Sequence, residues 1–240
     1  MRKVLIVLAV LLIGAVIAAD RVGVVIAQNE IGRQIANQYN LQKQPKVSIG
    51  GFPFLTQAIS GSYDSITVDI GDWTQQDVTV HDLKVKISGL HAPLSDVINN
   101  NTSKMVADTG TASAIIPFDA LKKRAPSGVK EISASGSDLL LKGTVSGTFP
   151  VIGAVSSDMT VTVKLKATAS GIQVTPDTVQ NSGGPTVPVG LLSSRFSFVV
   201  PVHNLPIGSR ISQIDVTPTG LRVAATANNV RFSELSNTGV

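Results

Sequence analysis

The chain contains no cysteine, which removes disulfides, thiolate catalysis, a thioether-linked lipid and cysteine-ligated zinc from consideration. Its fold therefore has to stand on its core. Aromatic residues are scarce as well, with seven Phe, two Tyr and one Trp in 240 residues, so base stacking on single-stranded nucleic acid has little to draw on. Basic residues are scattered, and the formal charge of +4 falls to +2 once Arg2 and Lys3 are set aside. Neither that balance nor that scatter describes a nucleic-acid-binding surface. The cluster Lys122-Lys123-Arg124 suits the C-terminal end of a short helix, where cations meet the negative end of the dipole; contact with anionic headgroups is its other reading.

Catalytic signatures are missing too. Gly143 and Gly147 have the spacing of the Gly-x-Ser-x-Gly elbow, but Val145 stands at its centre. No His-Glu-x-x-His or calcium-loop pattern occurs, so neither a metal nor a cofactor is expected. The histidines are His81, His91 and His203, none with a serine at a telling spacing, and all three read as surface or turn residues. Asp64, Asp69 and Asp72 form a loose carboxylate set. On a continuing strand Asp69 and Asp72 face opposite sides, so a shared acid–base site there requires a bend.

What the sequence does have begins at Met1-Arg2-Lys3, which precedes an uncharged run from Val4 to Ala19, the order of a basic n-region and an apolar core. As a helix this run reaches about 24 Å, short of the roughly 30 Å of bilayer hydrocarbon. Two outcomes stay open. One is a signal peptide cleaved near Ile17-Ala18-Ala19, and the other is an anchor with Lys3 and Arg21 reaching to the two interfaces. Residues 1–19 are thus a signal peptide or membrane anchor, and residues 20–240 a single domain large enough for a substantial core. Export to a cell envelope or periplasm-like space follows from either outcome.

Beyond Asp20-Arg21, Val22, Val25, Ile26, Ile31, Ile35 and Tyr39 recur mostly at three- and four-residue steps, which predicts an amphipathic helix to about Leu41 that Pro45 ends. From there the period changes to two. Ile66, Val68 and Ile70 alternate with polar residues, as do Leu83, Val85 and Ile87, and Val161, Val163 and Leu165, the pattern of antiparallel strands with one wet face. Further strands are expected at 130–135, 138–149, 171–175, 196–202, 211–218 and 220–227. Short helices are expected at 55–59, 94–99 and 118–124, and a loop at Asn181-Ser182-Gly183-Gly184-Pro185. Leu139-Leu140-Leu141 and Val199-Val200-Pro201-Val202 are apolar at consecutive positions, which predicts strands apolar on both faces. If the N-terminal helix fills one concave surface, the second apolar face is free to line a channel for acyl chains.

The most distinctive stretch is Gly51-Phe52-Pro53-Phe54-Leu55, followed by Gly61 and Tyr63-Asp64. Proline removes a backbone donor and fixes φ, so Phe52 and Phe54 are expected in extended geometry, either as core packing or as an apolar rim that meets a lipid chain. Together with Phe196-Ser197-Phe198, Leu205-Pro206-Ile207-Gly208 and Val216-Thr217-Pro218-Thr219-Gly220-Leu221, these residues resemble the actinobacterial lipomannan elongation maintenance family of the cell envelope, over roughly residues 20 to 235. The resemblance implies an α+β fold related to tubular lipid-binding domains, in which a strongly curved antiparallel sheet wraps a long N-terminal helix. It also implies phospholipid and membrane as partners, and a phospholipase activity reported within the family. Candidate lipid-contacting residues are Phe52, Phe54, Leu55, Tyr63, Trp73, Phe196 and Phe198. Trp73, just past a strand, also fits a membrane interface with its N–H wet. Three functions stay open: a phospholipid binder of the envelope, a phospholipase A-type hydrolase of the same fold without a nameable nucleophile, and a structural protein tethered by its N-terminal segment.

Overall fold

The apolar run and the segment after it form one continuous helix, α1 (Arg2–Gln38), in the computed structural model, which describes residues 2–75, 78–93, 96, 101–149, 153–181, 188–202 and 209–235. The chain then makes two antiparallel sheets. The first has six strands in the order β1-β2-β3-β4-β11-β10, with β1 (Lys46–Gly50), β2 (Ser62–Gln75), β3 (Val78–His91), β4 (Val106–Pro117), β10 (Arg210–Thr217) and β11 (Gly220–Arg231). The second is a five-stranded sheet in chain order, β5 (Val129–Ser135), β6 (Asp138–Phe149), β7 (Gly153–Thr168), β8 (Gly171–Asn181) and β9 (Phe198–Val200). Short helices α2 (Phe54–Ser60), α3 (Phe118–Lys122), α4 (Val189–Phe196) and α5 (Phe232–Leu235) complete the described chain. The α+β class and the curled sheet over a long N-terminal helix match the expectation.

Curvature has a local cause. Gly89 and Asn229, both at positive φ, lie in register with Asp108 on the strand between them, since Ser88 and Leu90 pair with Thr109 and Ala107, and Asn228 and Val230 pair with the same two residues. Three neighbouring strands therefore bend along one row, and the buried residues change parity across it, from Leu90 and Ala107 on one side to Ala225 and Ala227 on the other. A Cβ at Gly89 would stand 2.0 Å from Asp108 Oδ2, so the bend requires glycine there.

Two buried clusters result. One gathers Val24 of α1, Val47, Phe54, Tyr63, Ile66, Val68 and Leu90 at the N-terminal end. The other fills the space between the five-stranded sheet and the β10–β11 hairpin with Leu139, Leu141, Val161, Ile172, Phe196 and Leu221 among others, covered by Leu192 of α4.

Several expectations change. Asp20-Arg21 does not interrupt the helix, and α1 ends at Gln38 rather than Leu41. Phe196 closes helix α4 instead of opening a strand. The strand β4 and the helix α4 were not anticipated. Trp73 lies within β2 and not beyond it. Leu139-Leu140-Leu141 does not make both faces apolar: Leu139 and Leu141 point inward, while Leu140 is half-buried among its partners Ser133 and Thr162. Val199 likewise turns outward opposite Gln173. The turns after Thr168 and Thr217 are tight hairpins as expected, each threonine hydroxyl donating to the glycine carbonyl three residues on, at 2.8 Å. The expected 94–99 helix, apart from Asp96, residues 182–185 of the expected loop, His203 and Leu205-Pro206-Ile207-Gly208 lie outside the described residues.

Leu141 is fully buried at the centre of the second cluster. Leu141→Ala is expected to cost about 2–5 kcal/mol, read as a lowered midpoint in chemical denaturation followed by circular dichroism.

Candidate lipid-binding face and the helix corner

Directly opposed residues of antiparallel strands share a face, so the register of the six-stranded sheet fixes what each face carries. One row reads Val47, Val68, Val85, Ala112, Ala225 and Ile211 across all six strands. The row beside it reads Ile49, Ile66, Ile87, Gly110 and Ala227. Alternating with these are the rows Asp69–Lys84–Ser113–Ala224 and Thr67–Lys86–Thr111–Thr226, which face the other way. The inner face is thus apolar from edge to edge.

Helix α1 does not cover that face evenly. It packs at the β1 edge and against α2, burying Val24 with Ala27, Ile31 and Ile35 alongside. In the middle of the sheet, Val85, Ile87, Ala112 and Ala114 stay only half-buried. The floor there is built from small residues, Gly110, Ala112 and Ala114 on β4 and Ala225 and Ala227 on β11. Between the two clusters lies an apolar, half-buried strip of the inner face, hereafter the trough. The row Ala114–Val223–Ile214 leads from it toward the second sheet, where Leu139, Val163, Leu165, Ile214 and Val216 line a cavity of about 360 Å³ with Ser137 and Asp215 beside them.

The outer face is ionic. Asp69 pairs with Lys84 at 3.2 Å, Asp82 with Lys84 and Arg222 at 3.9 and 3.5 Å, and Asp72 with His81 at 2.8 Å. Register shifts around Gly71 supply the bend that a joint Asp69–Asp72 site required, yet Asp69 meets Lys84 and Asp72 meets His81. On the second sheet, the Thr144 hydroxyl and the Lys130 ammonium hold the Asp158 carboxyl below the usual range. His91 meets the Gly89 carbonyl at 3.2 Å. Among the described residues no serine hydroxyl is hydrogen-bonded to a histidine, and no group of acidic or histidine side chains is placed to hold a metal ion.

The Gly51-Phe52-Pro53-Phe54-Leu55 stretch forms a corner. Proline at the N-cap of α2 offers no side-chain acceptor to the first turn. Asp20 of α1 supplies it, accepting the Leu55 N–H at 2.8 Å. That carboxylate is 1% exposed and paired with Arg21, whose guanidinium lies 5.0 Å from the centre of the Phe52 ring. Buried Gln57 ties the corner to the sheet, donating to the Gly50 carbonyl at 3.1 Å and accepting the Asp64 N–H at 2.9 Å. Gly61, at φ 67°, closes α2 in the left-handed conformation.

The seven candidate residues do not converge. Phe54 begins α2 rather than lying extended, and with Tyr63 it is buried in the first cluster, where burial pushes the Tyr63 phenol up. Phe196 is buried in the second cluster, with Phe198 packed against it. Trp73 is half-buried opposite Val80, and Phe52 and Leu55 are exposed at the corner. A search for rings missed the trough, whose floor is glycine and alanine; its signal was alternation in Gly110, Ala112 and Ala114.

Two outcomes follow. Phe54→Asp places a charge in the first cluster and is expected to unfold the corner, whereas Phe52→Asp keeps the wild-type melting temperature; thermal melts of both variants check this. Asp20→Ala, which removes both the acceptor and the ion pair, is expected to melt lower than Asp20→Asn, which keeps an acceptor for the Leu55 N–H.

No curated protein and no solved structure matches the chain. A family model described as LmeA-like phospholipid-binding matches residues 18–226, from the end of the apolar run through β4 and both sheets into β11. With most of its length matched, the chain belongs to the LmeA-like phospholipid-binding family.

Proposed function

We propose that the chain is an exported envelope protein that shelters phospholipid acyl chains in the trough of the six-stranded sheet, with residues 20–240 working as one lipid-binding domain. The observation that carries this reading is the half-exposed apolar row Val85–Ala112 at the middle of the sheet, where an ordinary fold lays a helix. Family membership supplies the ligand class. Each methylene withdrawn from water is worth about 0.8 kcal/mol, so a few carbons of an acyl chain over Ala112 and Ala225 give useful affinity without a charged anchor. Phe54, Tyr63 and Phe196 act as packing in the two clusters that bound the trough.

Helix α1 is long and apolar enough to cross a membrane, and the rest of the chain covers little of it. Retained, it holds the trough beside the bilayer from which lipid is taken. The matching family is described by phospholipid binding, and the binding reading stands ahead of hydrolysis on that ground.

Ala112→Phe fills the trough and is expected to lower co-purifying phospholipid at least tenfold, whereas Lys84→Ala on the outer face leaves it unchanged. Lipid extraction and mass spectrometry of the full chain check this. Equal loading in a folded Ala112→Phe protein removes the trough as the site, and lysophospholipid growing with time makes the protein a hydrolase.

A further inference from the structure

We infer that the α1–α2 corner is a collar seated in the bilayer interface, so that Phe52, Leu55 and Ile59 contact lipid headgroups and upper acyl chains while the sheets stand clear of the membrane. This concerns where the protein meets the bilayer and does not rest on the trough holding lipid.

The first support is length. The uncharged run alone is short for a bilayer, but the exposed apolar surface of α1 does not stop at Ala19. Val22, Val25 and Ile26 are exposed as well, and residues 4–26 reach about 34 Å as a helix, enough for the roughly 30 Å of hydrocarbon with some tilt.

The second support is charge. Asp20 and Arg21 would oppose burial at that depth, and the corner disposes of both. Asp20 is bonded to the Leu55 N–H and to Arg21, and Arg21 is covered on one side by Phe52. The chain that folds against this part of the helix carries no charge at all from Val47 to Tyr63, in a protein with 15% charged residues. The first charges further along α1 are Glu30 and Arg33, paired with each other about one turn beyond Ile26.

The third support is exposure. Ile59 is 81% exposed, Phe52 61% and Leu55 38%, and among the described residues beyond α1 the other exposed large apolar side chains are Tyr39 and Val199. Leu55 and Ile59 are one turn apart and share a face of α2. Leu55 would touch a Cβ at Gly23 at 3.5 Å, which sets this face beside α1 at the level of Val22 and Ile26. An apolar face continuous with a membrane helix, free of net charge and rimmed by an aromatic ring over an arginine, has the character of an interfacial segment. The occupant is therefore the bilayer and not a second protein, because the face runs on from the exposed apolar surface of α1 and the chain from Val47 to Tyr63 carries no charge.

The test uses the full chain with Trp73→Phe, reconstituted into vesicles of phosphatidylethanolamine and phosphatidylglycerol with or without bromine on the upper acyl carbons. A single reporter, Ile59→Trp, is expected to emit at short wavelength and to lose at least half its intensity with brominated lipid. Leu55→Trp should behave alike, and Lys166→Trp on the outer face of β7 should not respond. Long-wavelength, unquenched emission from both corner reporters overturns the collar, and so does short-wavelength emission without quenching, which means a protein surface covers the face. Ala112→Phe in the same background separates the two readings: quenching that survives lost lipid loading leaves the collar standing whatever becomes of the trough.

Discussion

Six apolar residues in register across one face of a sheet, Val47 to Ile211, have to be taken out of water, and the helix available to cover them is placed at one edge. Its position follows from the corner. Asp20 is committed to the first turn of α2, and Gln57 fixes α2 between β1 and β2, so α1 leans on β1 rather than over β3 and β4. The second sheet and α4 close the other end. On the proposed reading, what lies between the two clusters is left to a ligand, and an aliphatic chain suits a floor of valine, alanine and glycine.

The same corner connects the binding face to the membrane. A carboxylate buried at a helix junction is costly unless it is paired and hydrogen-bonded, and here both conditions are met by neighbours that also neutralise the one pair of charges interrupting the apolar helix. The Gly51-Phe52-Pro53-Phe54-Leu55 stretch thus acts first as a joint. Its exposed side chains give it a second surface, and its buried ones hold the near end of the trough.

Much of this was legible in the sequence where large residues carried the alternation. Ile66-Val68-Ile70 and Val161-Val163-Leu165 announced β2 and β7, and the family resemblance drawn from the motif residues agrees with the family match. The strand β4 went unread because its inward positions are Gly110, Ala112 and Ala114, too small to register as a hydrophobic period, and that smallness is what leaves room for a chain. The helix α4 went unread because it is short, begins after Pro188 and follows a Gly-Pro-rich stretch, so Phe196 was assigned to the strand after it. Asp20-Arg21 looked like the end of an apolar helix because a sequence shows charges but not the partner, thirty-five residues on, that satisfies one of them.

The most direct test of the account is photo-crosslinking. A phospholipid carrying a diazirine on one acyl chain is incubated with the full chain in detergent, irradiated, and the adducts are mapped by peptide mass spectrometry. The account places adducts on β3, β4 and β11, in peptides containing Val85, Ala112 or Ala225. Adducts confined to α1 and α2, with none on those strands, would contradict it.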